Sequence, residues 1–214
     1  MAKEKTEPQK RQSYSQIAAR SFSSVFDQYL FFCFSRGLQG EINCDHFKTF
    51  EVTNEIIDEY VHEYWQQDYK YKKQGRWKYD IKQIENLIYE WEKDKDKKEI
   101  KRQAKDYYVR SKFKEIYPYQ KFIELYDKET CYYCGISISD ITELISKDKI
   151  FKKKVTRGWT LEIDRKKPNL EYTEDNCVRC CYWCNSAKTD EFDDVEFTPI
   201  GNAIKQIWND RLGR

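Results

Sequence analysis

The sequence has few of the features that mark membrane or secreted proteins. No apolar run approaches the roughly 20 residues of a membrane-spanning helix; the longest covers residues 29–34. The chain has one Met, four Pro and two His, and neither His46 nor His62 stands in a recognisable metal or catalytic motif. No signal-peptide pattern is present. We therefore expect a cytoplasmic protein without membrane segments, whose thiols stay reduced.

What the chain does have is charge, aromatic rings and cysteine. Of its 214 residues, 36% are charged, 39% are hydrophobic and 16% are aromatic, which suffices for one or two small domains with compact cores. The polar residues 1–13 predict a disordered tail, residues 14–118 a helical region and residues 119–214 a separate module. The aromatic helix that begins at Tyr14 predicts a core of its own, a protein partner or self-association.

Local signals predict where several helices begin and end. Thr53 is an N-cap candidate for one helix, and Pro118 is expected to end the long helical stretch before it. Thr198 followed by Pro199 predicts the start of a closing helix, because proline is favoured at the first helical position. We expect that helix to pack on the cysteine-rich module.

Eight cysteines include Cys-x-x-Cys pairs, the spacing at which two thiolates reach one ion. Cys131 and Cys134 form one pair, followed by Gly135, which permits the chain to leave the turn with a positive φ. In a chain with reduced thiols, such pairs favour a structural Zn²⁺ over disulfides.

The second pair is ambiguous from spacing alone, because Cys177/Cys180 and Cys181/Cys184 both fit. The residue pattern over 176–180 alternates as in a short strand, whereas the pattern over 181–188 is typical of a turn followed by a helix. This difference favours Cys181 and Cys184 as the remaining zinc ligands.

The same region resembles a known family. The run from Asp164 to Pro168, then Asn176, then Cys181-x-x-Cys184-Asn185-x-x-Lys188 is similar to the pattern of the HNH (ββα-metal, His-Me finger) endonucleases. The resemblance covers residues 119–192, about a third of the chain.

The resemblance implies a role for each matched position. Asp164 and Asn185 fall where the family binds a catalytic Mg²⁺ or Mn²⁺. Asn176 matches the residue that ties the hairpin loop together, and Lys188 would meet a backbone phosphate. The implied fold class is α+β and mainly helical, with a helical N-terminal region followed by a zinc-stapled ββα module.

One position departs from the pattern. The family's general base is a His after the Asp, and here that residue is Arg165, which cannot accept a proton from water. Three interpretations follow: metal-bound water serves as nucleophile while Arg165 holds the phosphate; another side chain replaces the base; or catalysis has been lost. The replacement candidates are Tyr172, Glu162, Glu171 and His46.

Basic residues are concentrated beside the motif. Between positions 152 and 167, seven basic residues face two acidic ones, although the whole chain carries only +2. This placement predicts a path for a phosphate backbone. The predicted nucleic-acid contacts are Lys152, Lys153, Lys154, Arg157, Lys166, Lys167 and Lys188.

The sequence therefore predicts a metal-dependent HNH-type endonuclease that cleaves DNA, in a setting such as restriction or defence; RNA is left open as a substrate. The alternative is a catalytically inactive module that binds nucleic acid or docks on a partner. A zinc-ribbon interaction protein with no nucleic-acid role would leave Asp164, Asn176, Asn185 and Lys188 without an explanation.

Overall fold

A computed structural model describes residues 6–61, 80–150 and 157–214 of the chain. These residues divide into two compact units. The N-terminal unit is Ser15–Glu115, and the C-terminal unit combines Ile116–Arg214 with the residues up to Tyr14. None of the described helices is both long and apolar enough to cross a membrane.

The chain is mainly helical, with one small sheet. The helices are α1 (Glu7–Ser35), α2 (Cys44–Thr49), α3 (Asn54–Glu59), α4 (Ile81–Lys93), α5 (Lys95–Tyr107), α6 (Phe113–Ile116), α7 (Tyr119–Tyr126), α8 (Ile138–Ser146), α9 (Tyr182–Lys188) and α10 (Asp194–Leu212). A 3-10 turn at Gln39–Glu41 and a π-helical segment at Tyr108–Lys112 complete the helical elements. Strands β1 (Glu162–Arg165) and β2 (Cys177–Cys180) form an antiparallel hairpin, so that β1, β2 and α9 follow one another along the chain.

The core of the N-terminal unit consists of aromatic rings carried largely by α1. Phe26 is fully buried, and its ring centroid lies 5.1 Å from that of Phe22, 5.5 Å from Phe47 and 5.9 Å from Trp91. The rings that predicted a protein partner or self-association are thus buried inside this unit, and the structure gives that expectation no support.

Helix α1 begins earlier than the sequence indicated. The prediction of a disordered tail through residue 13 was wrong from Glu7 onward. Gln9 accepts a hydrogen bond from the Thr6 backbone N–H at 2.9 Å, which satisfies a donor at the helix start. Lys10 then pairs with Asp127 at 2.6 Å, a tertiary contact that no local signal reveals. The remaining residues of the predicted tail, 1–5, lie outside the described residues.

Several predicted boundaries are confirmed. Thr53 caps α3 by accepting from the Ile56 N–H, and α6 ends at Ile116, just before Pro118. Residues 62–79, which include His62, lie outside the described residues.

Helix α10 starts five residues before the predicted position. Asp193 is the N-cap, and it forms a capping box with Glu196, so that Thr198 and Pro199 lie inside the helix. The prediction failed because two reciprocal capping bonds favour the earlier start over the single advantage of an N-terminal proline.

As expected, α10 packs on the cysteine-rich module. Phe197 and Trp208 belong to the same buried cluster as Cys131, Cys134, Cys181 and Cys184. Gly201 permits the close approach, because a Cβ at this position would lie 2.9 Å from the Tyr133 carbonyl oxygen.

Candidate metal centre and hairpin site

Four cysteines come together in the core of the C-terminal unit. The Sγ atoms of Cys131, Cys134, Cys181 and Cys184 all lie within 4.8 Å of one another, and all four residues are buried. The Sγ atoms of Cys134 and Cys181 are 3.7 Å apart. A tetrahedral Zn²⁺ with Zn–S bonds of about 2.3 Å separates its sulfurs by about 3.8 Å, so the cluster has the dimensions of such a site.

Local structure positions each pair. The first pair lies in a turn in which the Gly135 N–H donates to the Cys131 carbonyl at 2.9 Å, and Gly135 has a φ of 72°. In the second pair, Cys181 is the N-cap of α9, and its Sγ accepts from the Cys184 N–H at 3.4 Å. Both turns therefore aim their sulfurs at one point.

The alternative pair, Cys177 and Cys180, does not join the cluster. Both residues are on β2, and residues three apart along a strand point to opposite faces. Burial raises the pKa of the Cys177 thiol to about 12. This pair is therefore structural, as the strand-like pattern of residues 176–180 indicated.

The electrostatics of the four thiols also fit a dication. Hydrogen bonds from the thiols of Cys134, Cys181 and Cys184 lower the pKa of Cys131. The same contacts raise the pKa of Cys181 and Cys184, because a second negative charge beside the first is unfavourable. A divalent cation removes that penalty and permits all the thiols to ionise.

A second group of polar residues lies on one face of the hairpin. Strand alternation places Glu162 and Asp164 on the same face. Asp164 Oδ2 accepts from the Tyr133 hydroxyl at 2.7 Å and lies 3.4 Å from Lys188 Nζ. Burial raises the pKa of Asp164, and the hydrogen bond from Tyr133 and the charge of Lys188 counter that rise. Both of these side-chain contacts are made by Oδ2, and the Arg165 backbone N–H also donates to the carboxylate.

Asn185 is oriented on the same face by Glu162. Its Nδ2 donates to Glu162 Oε2 at 2.6 Å, which directs the amide oxygen away from that contact. Glu162 also receives two hydrogen bonds from Arg157, at 2.6 and 2.8 Å. The three residues form one network beside Asp164.

Asn176 holds the loop between the strands. Its Oδ1 accepts from the Lys167 N–H at 2.9 Å, and its Nδ2 donates to the carbonyls of Lys167 and Glu171 at 3.0 and 2.9 Å. The residue is only 7% exposed. These contacts match the loop-tying role that the family resemblance implied for this position.

Arg165 is occupied with the same loop. It donates to the Leu170 carbonyl at 3.1 Å, lies 3.6 Å from Asp190 and stacks over the Tyr172 ring at 4.9 Å. Alternation along β1 also turns its side chain away from the face that carries Asp164. These contacts hold the Arg165 guanidinium against the loop.

The predicted phosphate contacts have different surroundings. Lys167 is exposed, Lys166 is partly exposed, and Arg157 is exposed although paired with Glu162. The prediction for Lys188 was wrong: the side chain is fully buried, and Nζ donates to the Arg165 carbonyl at 2.9 Å. A buried ammonium beside Asp164 stabilises the hairpin and cannot reach a backbone phosphate. Lys152, Lys153 and Lys154 lie outside the described residues.

Of the side chains proposed to replace the missing base, Glu162 is the one that shares the face of Asp164. Tyr172 stacks with Arg165, and the Glu171 carbonyl is held by Asn176. His46 belongs to the N-terminal unit, where its Nδ1 lies 3.1 Å from the Tyr29 hydroxyl.

Sequence reasoning missed Tyr133 as a site residue. It is one of the two residues between Cys131 and Cys134, and the geometry of that turn places its hydroxyl on Asp164. Because the contact joins residues far apart in the sequence, no local pattern could have indicated it.

Comparisons with known proteins identify no family. No family model and no curated protein matches the chain. One solved structure, described as the rare-cutting HNH restriction endonuclease PacI, is 26% identical, with a TM-score of 0.38. The match covers 44% of this chain and 66% of that one, so this chain spans just under two thirds of its length. This similarity is too weak to support a functional conclusion.

Proposed function

We propose that the C-terminal unit is a metal-dependent endonuclease of the HNH type, which hydrolyses phosphodiester bonds in DNA. Zn²⁺ bound by the four cysteines would join the turn of Cys131 and Cys134 to α9 and, through the surrounding core, to α10. Asp164 and Asn185 would bind the catalytic Mg²⁺ or Mn²⁺, ions that prefer oxygen ligands and keep several waters.

One observation carries the proposal. In each of the two metal-ligand candidates, a protein partner fixes one polar atom and so orients the side chain. Tyr133 and Lys188 hold Asp164 Oδ2, and Glu162 holds Asn185 Nδ2. Partners of this kind orient metal ligands and are characteristic of metal sites.

The chemistry assigns a role to the remaining residues. A bound divalent ion lowers the pKa of its water and stabilises charge on the phosphate. Glu162, on the same face, is the carboxylate suited to accept the proton. Arg157 would exchange its contact with Glu162 for a DNA phosphate, and Glu162 would keep its contact with Asn185. Asn176 and Arg165 would keep the loop in place.

The test is cleavage of a supercoiled plasmid with Mg²⁺ or Mn²⁺. Asp164→Asn should reduce the rate by at least about a thousandfold, because the loss of a catalytic-metal ligand removes several kcal/mol of transition-state stabilisation. Glu162→Gln should reduce it by about a hundredfold, the usual contribution of a general base. The matched control is Asp210→Asn on the exposed side of α10, which should cut at the wild-type rate.

The alternative is a module that binds nucleic acid without cutting it. Salt-sensitive binding of DNA by the wild-type protein, with no nicked plasmid under either metal, would establish that alternative and reject the nuclease. Equal cleavage by wild type and Asp164→Asn would reject the assigned site.

A further inference from the structure

A cavity of about 560 Å³ lies beside β2 and α7, within the C-terminal unit. Pockets that bind small ligands typically measure about 300–1,000 Å³. We call it the Arg179 cavity; its lining includes Arg179, Lys128, Lys166, Tyr132, Leu125 and Val178. Arg179 pairs with Ile163 across the hairpin, whereas Val178 pairs with Asp164. Strand alternation therefore places the Arg179 side chain on the opposite face from Asp164.

Arg179 has unmet hydrogen-bonding capacity. It is only 4% exposed, and its Nε and Nη1 have no hydrogen-bond partner among the residues that the structure describes. Its guanidinium lies 4.3 Å from the centroid of the Tyr126 ring. A cation–π contact uses the face of the guanidinium, whereas its N–H donors lie in the plane. Burial of such donors without acceptors is costly, and a bound anion would remove that cost.

The charges around the cavity favour an anion. The acidic residues Glu124 and Glu174 share Lys121, at 3.4 and 3.1 Å, which leaves this group with one net negative charge. Asp175 is the other acidic residue of the lining, and it is exposed. Lys128 and Lys166 stand in the lining with Arg179, and no ion pair joins either ammonium to a carboxylate in the described part of the chain.

The rest of the wall is apolar and aromatic. Leu125 is buried, and Tyr132 is 55% exposed. An exposed tyrosine ring beside cations is the arrangement by which proteins stack a base while they hold its phosphate. A simple inorganic anion would leave this wall without a contact.

We propose that the Arg179 cavity binds a nucleotide, with its phosphate on Arg179, Lys128 and Lys166 and its base against Tyr132. The guanidinium would turn its in-plane donors onto the phosphate. The nucleotide is either a free mononucleotide or one residue of single-stranded DNA, since both present the same chemistry. The site is distinct from the proposed cleavage centre and does not depend on it.

The experiment is calorimetric titration of the full chain, without Mg²⁺ or Mn²⁺ so that no cleavage occurs. The probes are thymidine 5′-monophosphate, inorganic phosphate, thymidine and a single-stranded oligothymidylate. We expect saturable binding of the monophosphate, with phosphate and thymidine each weaker. Arg179→Met should weaken binding by about tenfold or more, because a hydrogen bond to a charged group is lost.

Three further variants make the result decisive. The double variant Lys128→Ala/Lys166→Ala should also lose affinity, and it settles the question alone if Arg179→Met does not fold. Lys205→Ala, an exposed lysine of α10, is the matched control and should bind normally. Asp164→Asn should bind normally as well, even if it abolishes cleavage, which separates this site from the proposed nuclease site.

The outcomes divide as follows. Binding of the oligothymidylate that is tighter than that of the monophosphate and is lost in Arg179→Met or in the double variant would identify single-stranded DNA as the source of the nucleotide. Equal binding would identify a free nucleotide. Affinity that is unchanged in the double variant, or no saturable binding of any probe at millimolar concentration, would overturn the proposal.

Discussion

The two units of the chain bury different kinds of core. In the N-terminal unit, the fully buried side chains include Phe22, Phe26 and Tyr29, whose rings pack edge-to-face or tilted. In the C-terminal unit, four cysteines lie in one buried cluster with apolar side chains that include Ile141, Leu144, Phe197 and Trp208. The aromatic core needs no ligand, because each ring removes a large apolar area from water. The cysteine cluster has the dimensions of a metal site.

This difference has a consequence for function. A small module held together by a metal ion can leave polar groups on a short hairpin, because the ion supplies folding free energy that a small apolar core cannot. Asp164, Asn185 and the buried Lys188 all lie on or beside such a hairpin.

The largest effect should come from breaking the cysteine cluster. Cys184→Ala should lose zinc and unfold the C-terminal unit, because structural Zn²⁺ sites contribute on the order of 10 kcal/mol to folding. Metal content by atomic emission and limited proteolysis would measure the two effects. The N-terminal unit should keep its resistance to proteolysis.

Cys33→Ala is the matched control for that experiment. Cys33 is equally buried but lies on α1 in the N-terminal unit. It should retain one zinc per chain. A Cys184→Ala protein that keeps its zinc and its protease resistance would show that the four cysteines do not form the metal site.

An intermediate effect is expected in the aromatic core. Phe26→Ala should cost about 3–5 kcal/mol of unfolding free energy, because it removes a large buried ring and leaves a cavity. Urea unfolding would measure the loss, and the zinc content should stay unchanged. Tyr89→Ala, at a position that is 56% exposed on α4, should change stability by less than about 0.5 kcal/mol. A similar loss in both variants would argue against the packed core described for this unit.

The smallest effect concerns a buried carboxylate in the N-terminal unit. Burial raises the pKa of Asp27 from 3.8 to about 6, although the charge of Lys101 opposes the rise. The folded state then binds a proton more tightly than the unfolded state, so ionisation destabilises folding as the pH rises from 3.8 to about 6. Asp27→Asn should therefore stabilise the protein at pH 8, by about 1–3 kcal/mol.

The pH dependence of the stability gain tests whether burial of the Asp27 charge is its cause. The gain from Asp27→Asn should shrink as the pH falls through about 6 toward 3.8, because the carboxylic acid then becomes neutral in both states. Thermal unfolding at pH 8 and pH 5 would measure it. Asp58→Asn, an exposed position on α3, should show no such gain. A gain that is the same at both pH values would mean that burial of the charge is not the cause.

Much of the metal centre was predictable because its signals are local. Cys-x-x-Cys spacing fixes two sulfurs within one turn, and the change from strand-like to helix-like pattern at Cys181 distinguished the ligands from Cys177 and Cys180. The N-cap at Thr53 and the break before Pro118 are local in the same sense. Each of these predictions depends on groups within a few residues of one another.

The failures involve contacts over long sequence distances or competition between local signals. Helix α1 extends back to Glu7, and Lys10 near its start forms an ion pair with Asp127. The sequence predicted Lys188 as a phosphate contact, but its side chain is fully buried beside Asp164. At α10, the capping box of Asp193 and Glu196 prevailed over the proline signal at Pro199.

The sequence by itself determined the kind of chemistry: four thiols at metal-binding spacing, a carboxylate and an amide beside them, and aromatic helices able to bury a core. Only the tertiary structure decided which atoms remain available. Tyr133 fixes one oxygen of Asp164, Glu162 orients Asn185, and Arg179 lies buried beside a cavity on the opposite face. The physical reason is that residue type and spacing set which groups are present, whereas burial and hydrogen-bond partners depend on residues far apart in the chain.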